Sequence, residues 1–130
     1  MSRHTRATRL LHNAQAITGT TAYPTAAIET NGEVLDLLAS LETTSTATGS
    51  WQWWINNKPK NEYDADVVAA GSEAANTAGW VLYGAALSVT AAFKNSSSLT
   101  GVIAARVRGV YTNATNSGAL TTRVAIAPSA

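Results

Sequence analysis

The sequence contains no cysteine, so no disulfide framework braces the fold and no thiolate chemistry is open to it. Charge is scarce as well. Lys, Arg, Asp and Glu make up 13% of the residues, about half the usual share for a soluble domain. Ala, Thr, Ser, Asn and Gly fill the space instead. So uncharged a surface repels copies of itself weakly, which suits a chain packed against neighbours. Histidine occurs twice, as His4 and His12. Nucleophilic catalysis needs a nucleophile, a base and an orienting group that converge. The sequence has no Gly-x-Ser-x-Gly elbow, phosphate-cradling loop or dinucleotide fingerprint. An enzyme is not expected, and neither a catalytic residue nor a cofactor is assigned. Long apolar runs are also missing. Ala74–Phe93 carries no charge, but Asn76, Thr77, Ser88 and Thr90 interrupt it, and no membrane span is expected there. The opening MSRHTRATRLLHNAQ is basic without a following apolar core, so it does not read as a secretion signal.

What is present fits one domain of 130 residues and 13.5 kDa, large enough to bury a core unaided. The net charge of +1 is unevenly spread. Arg3, Arg6 and Arg9 lie in the first twelve residues with no acid, while the remainder holds six bases against eight acids. This divides the chain into a basic arm, residues 1–13, and a β-sandwich domain, residues 14–130. A basic tip on a mildly acidic body is expected to dock on an acidic surface. Three arginines are too few to package a genome, so nucleic acid is not expected as a partner.

Strand-like alternation dominates the body. Val102–Ile126 reads as two strands around the polar turn NATNSG, an antiparallel hairpin. Short strands are expected at Ala14–Thr18 and Thr25–Glu29, followed by a turn at Asn31-Gly32. Glu33–Thr43 suits both a strand and a helix. Its flanks, an Asn-Gly turn and the polar loop TTSTATGS, favour the strand. Trp51–Asn56 is a further strand and pairs antiparallel with the leucine strand in this reading. Asn57–Asp66 reads as a charged surface loop. Trp80–Tyr83 reads as a buried strand, Leu87–Phe93 as a further strand, and Lys94–Ser98 as a turn. Seven to nine short strands without a convincing long helix are the pattern of a single-domain, all-β antiparallel sandwich, jelly-roll-like in character.

Few residues stand out as binding candidates. Trp51, Trp53 and Ile55 share one face of their strand, which turns Trp54 outward as a subunit contact or a sugar-stacking ring; the subunit contact is preferred. Arg106, Arg108 and Arg123 are expected on the outer face of the hairpin. There they face solvent or pair with acids of a neighbouring strand or another subunit. Glu62, Asp64 and Asp66 align at period two, but Lys58 and Lys60 stand beside them. They read as a solvated face, and no metal site is assigned.

The order of segments resembles small all-β structural proteins of tailed-phage virions. The likeness lies in VLDLLASLETTSTATGSWQWWI and IAARVRGVYTNATNSGALTTRVAIAP, a pattern without a diagnostic motif. NNKPKNEYDAD departs from the acidic Asp/Gly turn common in such domains. The resemblance implies a capsid decoration (cement) protein on the virion surface, bound to the major capsid protein and to copies of itself, as a trimer or other homo-oligomer. In that reading Arg3, Arg6 and Arg9 dock on the capsid, and Trp54, Arg106, Arg108 and Arg123 form subunit or lattice contacts. A tail or neck component is the nearest alternative. A carbohydrate-binding or adhesion module built on Trp54 is the alternative from another class.

Overall fold

The computed structural model describes residues 7–44, 46–90 and 94–129. Among them are nine strands and one helix, arranged as two antiparallel sheets face to face. The first sheet has the order β1 (Ala7–Ile17), β9 (Gly118–Pro128), β4 (Leu35–Thr43), β7 (Lys94–Val102). In the second, β8 (Arg106–Thr115), β5 (Thr48–Asn56) and β6 (Trp80–Val89) lie side by side. Along the free side of β8 run β2 (Ala22–Pro24) and then β3 (Ile28–Glu29), one interrupted edge strand. Among the described strands, every connection except β2–β3 and β5–β6 crosses from one sheet to the other. That wiring is a jelly roll, two sheets closed over one core.

Alternation decides which face each strand buries. In β4, Leu35, Leu37, Ala39, Leu41 and Thr43 point inward. In β9, Leu120, Thr122, Val124 and Ile126 answer them from the neighbouring strand. Trp51 and Trp53 enter from the opposite sheet, edge to face with ring centroids 5.1 Å apart, and both are essentially inaccessible. A strand reading of Glu33–Thr43 is therefore right, because half of the segment faces a flat sheet-on-sheet core.

Two expected pairings fail. The arms of the Val102–Ile126 segment lie in different sheets, and so do the leucine and tryptophan strands. Each strand has one buried face, and that periodicity is the same whether neighbours pair side by side or face each other across a core. Other boundaries move as well. Trp80–Val89 is a single strand, bulged at Gly84 (φ 78°), where Gln52 Nε2 donates to the Tyr83 and Gly84 carbonyls at 3.1 and 2.9 Å. Its Val81 and Leu82 are exposed rather than buried. Lys94–Ser98 belongs to β7 and pairs with β4, because a polar sequence satisfies an edge strand that packs little. Ala91, Ala92 and Phe93 fall outside the described residues. The Asn31-Gly32 turn forms as expected, closed by Glu33 N–H on the Thr30 carbonyl at 3.0 Å.

The charged segment after β5 is a helix, α1 (Lys60–Ala70), where a loop was expected. Only Tyr63 is buried on it, so it shows no apolar stripe to betray it. Its punctuation was present: Pro59 before the first turn, the Lys60–Asp64 pair one turn apart, and Gly71 in the left-handed region donating to Val67 and Val68 carbonyls. β1 begins at Ala7, so the 13/14 arm boundary falls inside a strand paired along β9. No helix among the described residues is long and apolar enough to cross a membrane.

Candidate functional site

Alternation along β8 sends Val107, Gly109 and Tyr111 into the core and Arg106, Arg108 and Val110 to the outer face of the second sheet. That outer face is covered. Helix α1 and the turn at residues 71–79 lie over it, and both arginines are almost fully buried, at 3% and 4% exposure. The expected open contact face of Arg106 and Arg108 is thereby corrected, because the helix unseen in the sequence is their lid.

Beneath that lid the two arginines alternate with aromatic rings. Arg106 stacks on Tyr63 at 4.0 Å, Tyr63 meets Trp80 edge-on at 6.0 Å, and Arg108 stacks on Trp80 at 4.3 Å. Each ring face presents negative charge to a guanidinium. Arg106 Nε also pairs with Glu29 Oε2 at 2.9 Å, and its Nη1 donates to Lys58 O at 2.7 Å and Asn56 Oδ1 at 3.3 Å. Arg108 has only backbone acceptors, Asn76 O at 3.0 Å from Nη2 and Glu73 O at 3.4 Å from Nη1. Burial pushes the Tyr63 phenol up to about 12, with Glu73 adding to it and the guanidiniums opposing. Burial also lowers the Arg108 pKa.

Beside Arg108 the lid stops short and leaves a groove of about 370 Å³. Trp54, Trp80, Arg108 and Val110 line it, with β2 on one side and the turn at residues 74–77 on the other. Trp54 sits directly opposite Arg108 across the β5–β8 pair. It is half-buried in the groove rather than standing free on the surface. Arg123 lies elsewhere, on the outer face of the first sheet, half exposed and 3.6 Å from Glu42. Arg106, Arg108 and Arg123 therefore do not share a face. Arg9 is an exposed residue of β1, and Arg3 and Arg6 lie outside the described residues.

The acids at 62, 64 and 66 do not converge either. On a helix, residues two apart point to nearly opposite sides. Asp64 is bound by Lys60 at 2.7 Å and Asp66 by Lys58 at 2.8 Å. Sequence reasoning missed Glu29, Tyr63 and Asn76, which come to the site from separate elements. The available signal was the period-two pair Arg106 and Arg108 set against Trp54.

No protein-family model matches the sequence, and no curated protein matches it. Solved structures do. The PBSX exported protein XepA superposes with a TM-score of 0.66 at 15% identity, over 95% of this chain and 38% of that one. The infectious bursal disease virus VP2 subviral particle gives 0.54 at 9% identity, over 98% of this chain and 33% of that one. The Gx strain of the same virus gives 0.54 at 8% identity with the same coverage. The likeness is one of fold. The chain spans little more than a third of the length of these proteins, and the jelly-roll wiring runs through nearly all of it.

His12, expected in a loose arm, is a buried residue of β1 with Nδ1 2.9 Å from Thr122 Oγ1. Burial lowers its pKa below 6.5, partly offset by the Pro24 and Tyr23 backbone. The unfolded chain then binds the extra proton first. Stability is fully present above 6.5 and falls as the pH drops from there towards the folded-state pKa, by at most about 1.4 kcal/mol per pH unit. Thermal melts between about pH 7 and pH 5 should show this loss, and His12→Gln should flatten it. Equal slopes in the two proteins would mean that the imidazole is not the cause.

Proposed function

We propose that this chain is a virion structural protein, and more closely a capsid decoration (cement) protein on the lattice of a major capsid protein. The observation that carries the reading is a jelly roll spanning 98% of the chain and held in common with a protein of a viral particle. The charge-poor surface supports it, since contacts repeated many times on a shell favour uncharged faces.

The strand that suits such a contact is β6. Edge strands usually carry a device against pairing. β2 and β3 are short and hold Pro24, while β1 is bulged and carries Arg9. β6 is also bulged, at Gly84, but it has ten residues and no charge, with Val81 and Leu82 more than half exposed. Two copies pairing antiparallel along β6 would bring no like charges together, and they would join two sheets across a two-fold axis. Arg3, Arg6 and Arg9 would add attraction to an acidic capsid surface. A binder that prefers the expanded shell stabilises it by linkage, as any ligand selective for one state does.

Quantitative mass spectrometry of virions from the source lysate tests this reading. Hundreds of copies per particle are expected, and Leu82→Lys should lower that number while the isolated protein stays folded. A handful of copies would move the chain to the tail or neck. Absence from particles would overturn the virion reading.

A further inference from the structure

We propose that the groove beside Trp54 is a binding site for an apolar group that carries a single carboxylate. The inference rests on the groove alone and stands whether or not the chain is part of a virion. Its volume of about 370 Å³ is that of a small ligand site. The lining is chiefly apolar: the Trp54 and Trp80 rings, Val110, Pro24 and alanines, with Thr77 and Arg108 as the polar members. An apolar body of about ring size fills such a space. A bare inorganic anion would leave it empty, and a sugar would find one hydroxyl for its many.

The polar requirement comes from groups that have no partner. Arg108 Nε, Trp80 Nε1 and Asn76 Nδ2 are buried without a hydrogen-bond acceptor. Their residues are 4%, 7% and 1% exposed. They form one cluster, since Arg108 stacks on Trp80 and donates to the Asn76 carbonyl. Arg108 and Trp80 line the groove, and Asn76 sits between its lining residues 75 and 77. These three are N–H donors, and the hydroxyl of Tyr63, a fourth unmet group in the same stack, can donate as well, so an acceptor would serve them. Buried polar groups in native proteins are normally satisfied, which makes three in one place informative.

Charge narrows the acceptor to an anion. Arg106 and Arg108 leave the same strand on the same face, and each stacks on a ring. Arg106 has the Glu29 carboxylate at 2.9 Å, whereas Arg108 forms no salt bridge among the described residues. Glu73, the acid whose field reaches Arg108, already accepts the Ala27 N–H at 2.6 Å through Oε1. Glu73 acts on Arg108 without forming an ion pair with it, and a carboxylate in direct contact would match the planar fork of the guanidinium. The two arginines differ in the anion, and the groove opens at the one that lacks it.

Titration of the ¹⁵N-labelled full chain with 3-phenylpropanoate tests the site, read on the Trp80 indole and Arg108 Nε–H resonances. Saturable shifts of both are expected, with neutral 3-phenylpropanamide binding at least about tenfold more weakly. A blocked peptide, acetyl-Leu-Glu-Leu-amide, distinguishes the source of the carboxylate. Tighter binding than the free acid assigns it to a protein partner, and weaker binding to a small organic acid. Ala75→Phe fills the groove from an exposed turn position and leaves Arg108 itself unaltered, and should abolish the shifts while the remaining spectrum persists. Equal affinity for acid and amide, unsaturable shifts, or unchanged binding in Ala75→Phe would overturn the proposal.

Discussion

Gly109→Ala is expected to cost at least about 3 kcal/mol and to leave little folded protein at room temperature. Gly109 lies on the inward face of β8, and the ring of Trp51 lies directly over its Cα. A Cβ there would overlap Trp51 Cζ2 and Cη2 and stand 2.8 Å from Cε2. Trp51 is fully buried and packed edge-on against Trp53, so the ring has nowhere to retreat. Close packing converts such an overlap into displaced backbone. Urea unfolding followed by tryptophan fluorescence measures the loss. Trp51→Leu alone also destabilises, by leaving a cavity. In the double variant the alanine methyl enters that cavity, so the two costs should fall well short of additive. Additive costs, or a loss below about 1 kcal/mol in Gly109→Ala, would show that the ring does not lie over Gly109.

Arg106→Met is expected to cost about 3 kcal/mol, the low end of the range for breaking a buried ion pair from one side, because the Glu29 left behind is 38% exposed. The side chain is 3% exposed and its partners come from four places in the chain: Glu29, Asn56, Lys58 and Tyr63. Removing it leaves the Lys58 carbonyl short of a donor just before α1, while Asn56 Oδ1 keeps the Lys58 N–H at 2.9 Å. Arg106→Lys keeps the charge but not the fork, and should recover only part of the loss. Arg123→Met is the control. Its pair with Glu42 is half exposed and 3.6 Å apart, so its removal should cost less than about 0.5 kcal/mol. Equilibrium unfolding gives the three values, and near-ultraviolet circular dichroism reports whether Tyr63 and Trp80 lose their fixed setting. Equal costs at Arg106 and Arg123 would contradict the burial of the first.

These two predictions sit on either side of what sequence reasoning reaches. The inward placement of Trp51, Trp53 and Leu35–Leu41 follows from period two alone, since a strand has only two faces and apolar side chains share one. Arg106, Arg108 and Arg123 also alternate correctly with their apolar neighbours. Arg123 is half exposed beside Glu42 and Arg106 pairs with Glu29 of the adjoining strand, both as expected, but the burial of Arg106 and Arg108 was missed because an outward position in a strand says nothing about what lies over it. Helix α1 does not sort its apolar and polar residues onto separate faces, so no periodicity announced it, and with it went the lid, the arginine–aromatic stack and the groove. Tyr63 and Glu73 reach Arg106 and Arg108 from 43 and 35 positions away. Contacts at such separation leave no local trace.

The residues alone were enough to show that the chain is all-β, that Leu35, Leu37, Leu41, Trp51 and Trp53 enter a core, and that cysteine chemistry is absent. These are consequences of composition and of a two-residue period, both local properties. Tertiary structure decided which strands are neighbours, and it placed the arms of Val102–Ile126 in opposite sheets. It also decided that two outward arginines are buried and that one of them forms no ion pair among the described residues. Facing across a core and pairing within a sheet bury the same alternate residues, so only closure of the whole sandwich separates the two.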